Sequence, residues 1–161
     1  MCAAIASRVL DYVRAQERQF TTLTRGLVEA ESPTAHPETH DEVRRVLRIA
    51  LAEVGYDSRE TVGIDRPRHV FARPATRRRG GPSQLVVGPL DTVWPVGTRE
   101  ERPFSCDDNV IHGPGSFDMK GGLAQLIVAL GALQTLRLEP TVAPVIFINA
   151  DEEIGSRSST R

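Results

Sequence analysis

The predicted fold is built around Gly113-Pro114-Gly115-Ser116-Phe117-Asp118-Met119-Lys120-Gly121-Gly122, which places one acid between glycine-rich turns at the start of an apolar helix. Helical periodicity continues over residues 119–136. The predicted buried side of this helix consists of Leu123, Leu126, Ile127, Leu130, Leu133 and Leu136. Asp118 is therefore expected near the helix N-terminus, where the helix dipole favours an ionised carboxylate.

Two short apolar runs flank this segment, and each ends in acidic residues. Residues 85–90 are followed by Asp91, and residues 145–150 are followed by Asp151-Glu152-Glu153. Both runs predict buried strands, and the second, apolar on both faces, predicts a central one. Ligands of open α/β sheets bind beyond the carboxyl ends of the strands. The three acidic segments therefore predict a carboxylate-lined metal site.

The N-terminal third of the chain predicts two helices. Apolar residues at helical spacing over residues 5–27 predict a first helix that ends before Ser32. The hydroxyl of Thr39 can cap a second helix, with Glu42 closing a capping box. Gly55 is expected to end this second helix.

Residues 57–62 and 68–73 read as a hairpin at the edge of the sheet, and residues 110–111 as a short strand. Arg77-Arg78-Arg79 between the hairpin and the first buried strand is predicted to be a solvated loop, because no aromatic residues alternate with the arginines. Together these elements predict an α/β fold, in which helices pack on a mixed sheet.

Composition is that of an ordinary domain with one core, with 40% hydrophobic and 25% charged residues in a chain of 161. A formal charge of -1 gives no reason to expect nucleic acid or acidic lipid as a partner. Two cysteines, Cys2 and Cys106, fit a reducing compartment, so a cytoplasmic location is expected. We expect neither a signal peptide nor a membrane span.

Two nucleotide-binding motifs do not fit the central segment. A phosphate-binding P-loop requires Ser or Thr after its lysine, whereas Lys120 is followed by Gly121. A dinucleotide fingerprint requires a third glycine where Asp118 stands, and an acid at that position repels pyrophosphate. With both nucleotide-binding motifs rejected, Asp118 itself is the candidate functional residue of this segment.

The adjacent pair Glu152-Glu153 suggests a division of labour. In extended backbone neighbouring side chains point to opposite sides, so one carboxylate can bind a metal while the other acts as a general base. Most adjacent glutamates are merely solvated. Here, however, three successive acids follow a buried strand, and Arg157 is the nearby cation in the flanking sequence.

Three motifs, in order, resemble a known zinc-dependent family. They are Pro89-Leu90-Asp91-Thr92-Val93, the complete segment from Gly113 to Gly122, and Asp151-Glu152-Glu153-Ile154-Gly155-Ser156. The family comprises glutamate carboxypeptidase, aminoacylase, acetylornithine deacetylase and succinyl-diaminopimelate desuccinylase. The chain resembles the N-terminal part of their catalytic domain.

The resemblance implies a role for each matching residue. Asp118 would bridge two zinc ions, Glu153 would bind one of them, and Glu152 would be the general base that activates the bridging water. Asp91 would orient a histidine ligand two residues before it. Pro89 occupies that histidine's position, and its ring has no lone pair to offer a metal.

The resemblance also implies that residues 1–161 form a partial, truncated catalytic domain, without the family's lid and dimerisation domain or its later ligands. Two functions therefore stand open. One is a metal-dependent hydrolase of amide bonds in peptides or N-acyl amino acids; the other is a catalytically inactive remnant. A homodimer is expected only where the missing domain is present.

The four histidines are not predicted to be ligands. His112 lies six residues before Asp118 and could be proposed as a substitute ligand, but a structural role is favoured. The other three, His36, His40 and His69, lack ligand-like spacing and are predicted to be polar surface residues.

Overall fold

The computed structural model describes residues 2–63, 67–76, 80–108 and 110–160. Helices occupy one face of a mixed sheet, which confirms the predicted α/β fold. The helices are α1 (Cys2–Ala15), α2 (Glu17–Glu29), α3 (Asp41–Glu53), α4 (Thr98–Glu101) and α5 (Gly121–Thr135). The strands are β1 (Tyr56–Val62), β2 (Arg68–Pro74), β3 (Ser83–Pro89), β4 (Ser105–Asp107), β5 (Val110–His112) and β6 (Ala143–Asn149).

The main sheet has four strands in the order β1-β2-β6-β3. β1 and β2 form the predicted edge hairpin, β2 pairs antiparallel with β6, and β3 pairs parallel with β6. The parallel pair requires a crossover, which α5 provides. The predicted central position of β6 and the short strand β5 are both confirmed, and β5 pairs with β4 in a separate two-stranded sheet.

The core lies between the helices and one face of the sheet. The sheet contributes Val70, Ala72, Ile146 and Ile148. α5 contributes Leu123, Ile127 and Leu130 from the face that its leucine spacing predicts. The core therefore holds the carboxyl ends of β3 and β6 beside the start of α5.

The prediction that β3 is buried is wrong for its first half. The side chains of Leu85 and Val87 are 60% and 56% exposed, whereas Val86 between them packs against the core. β3 is an edge strand of the main sheet, and the helices cover only the face to which Val86 points. An apolar run alone does not reveal whether both faces of its strand are covered.

The predicted first helix is divided into α1 and α2 at Gln16. Its end before Ser32 is confirmed, because α2 stops at Glu29. The early apolar residues Ile5 and Val13 are 39% and 40% exposed, so α1 contributes less to the core than its periodicity suggests.

The predicted capping box at α3 is wrong. The Thr39 hydroxyl donates to the carbonyl of His36 within a 3-10 turn, Pro37–Thr39, and α3 begins at Asp41 without a side-chain cap. The competing bond to His36 satisfies the hydroxyl locally. Gly55, with a φ of 79°, follows the end of α3 as expected.

α5 begins two residues later than the periodicity predicts, at Gly121 rather than Met119. Ser116–Lys120 forms a separate turn, in which Asp118 and Met119 have non-helical backbone angles. The predicted arginine loop, residues 77–79, lies outside the described residues. Within the part of the chain that the structure describes, every helix is too short or too polar to cross a membrane.

Candidate metal centre

Four carboxylates from three segments meet at the carboxyl ends of β3 and β6. Asp91 follows β3, Asp118 precedes α5, and Glu152 and Glu153 follow β6. Burial raises the pKa of Glu153, and the neighbouring charges of Glu152, Asp118 and Asp91 raise it further. Glu153 is thus close enough to each of the other three carboxylates to interact with it electrostatically.

Asp91 is the buried member of this group, with 1% of its surface exposed. The Thr34 hydroxyl donates to Asp91 Oδ2 at 2.8 Å. The backbone N–H groups of Glu152 and Glu153 donate to Oδ1 and Oδ2 at 3.2 and 3.4 Å. The Asp91 carboxylate thus holds the glutamate pair through the backbone of the two glutamates.

The glutamate pair lies in a 3-10 turn, Glu152–Ile154, so the expectation of extended backbone is wrong. The carboxylate of Asp91 accepts from two consecutive amides, a geometry that a turn provides and a strand does not. Glu152 is exposed and Glu153 is half-buried. The two carboxylates therefore still differ in exposure, although not because of an extended backbone.

Asp118 is exposed at the turn before α5, and the residues around it anchor that turn. Lys120 is buried, and its ammonium donates to the carbonyl of Ala30 at 2.8 Å. Burial lowers the pKa of Lys120 to about 7. Gly115 has a φ of 70°, and a Cβ there would lie 2.6 Å from Thr92 Cγ2. The glycine-rich segment is therefore packed against the residues that follow β3.

Asp151 supports the chain beyond the glutamate pair. Its Oδ2 accepts the backbone N–H groups of Ser158 and Ser159 at 2.7 and 3.1 Å. Burial acts to raise the pKa of Asp151, but a hydrogen bond from the Ser159 side chain and these two backbone hydrogen bonds outweigh it, so the pKa is lowered. Asp151 thus has a structural role, whereas Glu152 and Glu153 lie with Asp91 and Asp118 among the four carboxylates.

The prediction that His40 and His69 lie on the surface is wrong, because they are 0% and 2% exposed. His40 Nε2 donates to the carbonyl of Pro33 at 2.8 Å, and His69 Nδ1 accepts the N–H of Ala150 at 3.1 Å. Burial lowers the pKa of both histidines. The sequence offered one signal for the burial of His69: it lies two residues before Phe71 in a predicted strand, on the same face as that aromatic side chain.

The remaining histidines are exposed. His36 pairs with Glu38 at 3.0 Å, and His112 lies at the end of β5. The prediction of a surface position is thus confirmed for His36 and wrong for His40 and His69. The backbone partner of His40 lies seven residues away and that of His69 lies 81 residues away.

The charge of this site fits a cation. None of the ion pairs among the described residues includes Asp91, Asp118, Glu152 or Glu153, so none of the four acids has a Lys or Arg partner there. Carboxylate oxygens are suitable zinc ligands. The donor set is small, however, since Pro89 offers none and the described residues contain no group of three or more potential ligands in a metal-binding arrangement.

Comparison with known sequences identifies relatives of this site. The model of peptidase family M20/M25/M40 matches residues 85–161, which include all four of these carboxylate residues. Succinyl-diaminopimelate desuccinylase of Pseudoalteromonas atlantica is 32% identical over 140 residues, covering 84% of this chain and 35% of the relative. Carboxypeptidase G2 of Pseudomonas sp. is 33% identical over 81 residues, covering 50% of this chain and 20% of the relative.

A solved structure shows the same fold. Human carnosine dipeptidase 1 superposes with a TM-score of 0.77 at 20% identity, covering 94% of this chain and 36% of the dipeptidase. The chain thus spans about a third of the length of the desuccinylase and of the dipeptidase. It belongs to peptidase family M20/M25/M40 and covers only part of the catalytic domain of that family.

Proposed function

We propose that this chain forms part of the active site of a metal-dependent hydrolase that cleaves amide bonds in peptides or N-acyl amino acids. Relatives named as a carboxypeptidase and as a desuccinylase support this class of substrate, because both names describe cleavage of an amide. Zinc is the proposed metal, bound as a pair of ions in the complete site. The proposed location is the cytoplasm.

The observation that carries the proposal is the placement of Asp91, Asp118, Glu152 and Glu153 at the carboxyl ends of β3 and β6 and the start of α5. Burial raises the pKa of Glu153 most and the charges of the other three carboxylates add to the rise, while the described ion pairs offer none of the four a cation. Such crowding of like charges is costly unless a cation binds there. Asp118 and Glu153 are the proposed ligands.

The remaining residues have distinct proposed tasks. Zinc, when bound, polarises the scissile carbonyl and lowers the pKa of water. Glu152 is exposed, so it can accept the proton of the attacking water and pass it to the leaving amine. Asp91 fixes the backbone of both glutamates and thereby the distance between base and ligand.

Calorimetric titration with zinc tests the ligand assignment. We expect weak, substoichiometric binding by the unaltered chain, because two carboxylates leave an ion largely open to water. Asp118→Asn and Glu153→Gln should each abolish the binding. Glu152→Gln is the matched control, since it removes the proposed base and leaves both proposed ligands. Zinc binding that survives both ligand substitutions would refute the assignment.

A second candidate function is that of a catalytically inactive protein which retains the fold. Pro89 is the observation that favours it, because this buried residue stands where the resemblance implies a histidine ligand. We expect no hydrolysis of N-acyl amino acids or of peptides ending in glutamate by the 161-residue chain, even with zinc. Turnover that disappears in both Glu152→Ala and Asp118→Ala would exclude the inactive candidate.

A further inference from the structure

The backbone just before the glutamate pair is bound by a side chain from another strand. His69 on β2 lies opposite Asn149, because the neighbouring residues Val70 and Ile148 are paired. From there its Nδ1 accepts the N–H of Ala150 at 3.1 Å. This residue lies two positions before Glu152.

The hydrogen bond determines the protonation state of His69. A backbone amide nitrogen only donates, so Nδ1 must carry the lone pair and the proton must be on Nε2. Burial lowers the pKa of His69, which favours this neutral form. Asp151 and Asp91 are the charged groups that act in the opposite direction, and Thr61, which faces His69 from β1, is uncharged.

Two neighbouring residues confine the ring of His69. It packs against Phe147, with ring centroids 5.5 Å apart and planes inclined by 46°. The backbone of Gly63 comes so close to the ring that a Cβ there would lie 2.5 Å from His69 Nε2. Packing therefore holds the acceptor atom Nδ1 in a constant position.

We propose that His69 is a positioning residue for the glutamate pair, holding Ala150 from β2 while Asp91 holds Glu152 and Glu153 from the end of β3. The role rests on the proposed function of Glu153 as a metal ligand. Loss of a hydrogen bond that orients a ligand typically weakens metal affinity by roughly 10- to 100-fold.

His40 provides an internal comparison. It too is buried and carries its proton on Nε2, but there Nε2 donates to the carbonyl of Pro33. A second proton on His40 Nδ1 leaves that bond intact. A second proton on His69 Nδ1 occupies the lone pair that accepts from Ala150, so acid should release Ala150 and not Pro33.

Two substitutions of His69 separate hydrogen bonding from packing. Asn places its amide oxygen near the position of Nδ1, whereas Gln places its amide near the position of Nε2. We expect His69→Gln to weaken zinc binding roughly tenfold and to accelerate amide exchange at Ala150. His69→Asn should restore both towards the values of the unaltered chain, and His40→Gln should leave zinc affinity unchanged.

The proposal would be overturned if the Asn and Gln variants lost the same amount of zinc affinity and amide exchange at Ala150 stayed unchanged in both. If either variant fails to fold, nuclear magnetic resonance of the unaltered chain decides: the Ala150 amide signal should shift with the titration of His69 and not with that of His40. An Ala150 amide signal that does not shift with the titration of His69 would refute the positioning role. Absence of zinc binding by the unaltered chain would refute the proposed function but not the role of His69. The amide exchange and titration results still test that role, because neither measurement requires zinc.

Discussion

At the scale of single residues, position 89 limits the metal chemistry. Pro89 is buried at the end of β3 and pairs with Asn149 of β6. We predict that Pro89→His tightens zinc binding, because an imidazole adds a third ligand beside Asp118 and Glu153. Calorimetry should show the gain relative to Pro89→Ala, which lacks a ligand. Equal affinities of the two variants would show that position 89 does not face the metal.

The buried histidines should make stability depend on pH. The folded-state pKa values of His40 and His69 are lowered by burial, so below about pH 6.5 the unfolded chain binds more protons than the folded one. The free energy of unfolding should therefore be highest above that pH and fall as the pH decreases through it. Asp151, whose pKa is also lowered, adds a loss in more acidic solution, below its ordinary pKa.

Urea unfolding at a series of pH values measures this dependence. The variant His69→Asn should flatten the curve below about pH 6.5, the ordinary pKa of histidine, because it removes one of the two buried imidazoles. A curve that is identical in the variant would mean that His69 does not contribute to the proton uptake.

At the scale of elements, the turn Glu152–Ile154 depends on Asp91. We predict that Asp91→Asn destabilises the chain by about 1–3 kcal/mol, because one acceptor oxygen becomes an amide donor that faces a backbone N–H. Amide exchange at Glu152 and Glu153 should accelerate. Thr34→Val, which removes one hydroxyl hydrogen bond, is the control and should leave exchange at the glutamates slow. Slow exchange in Asp91→Asn would contradict the role of the carboxylate.

Elements with a strong periodic pattern were predictable from the sequence. The central strand β6, the edge hairpin and α5 follow from apolar runs, alternation and helical spacing. The glutamate turn was not predictable, because its conformation depends on hydrogen bonds to Asp91, about sixty residues away. The hydrogen bond of His69 to Ala150 was likewise not predictable, because Ala150 follows another strand 81 residues away.

The candidate site, like the fold, was predictable from the sequence only in part. Motif spacing identified Asp91, Asp118 and the glutamate pair, and the structure brings these four carboxylates together. Their roles as ligands and base stay predictions. The exposed face of β3 could not be foreseen, because an apolar sequence does not state which layers cover it.

At the scale of the whole molecule, the helices cover one face of the sheet and leave Leu85 and Val87 of the edge strand β3 exposed. Exposed apolar edges promote association. We predict that the 161-residue chain self-associates, and that Leu85→Lys reduces this association. Sedimentation should show the difference, with Val96→Lys as a control at an exposed site outside the sheet. A monodisperse monomer of the unaltered chain would contradict the prediction.

The burial of Lys120 has a practical consequence. It is the single lysine of the sequence, and its amine is enclosed while it donates to the carbonyl of Ala30. A reagent that acylates amines can therefore reach it only when the segment before α5 separates from the end of α2. The rate of acylation at Lys120, compared with that at the N-terminal amine, would report how often these two parts of the molecule come apart.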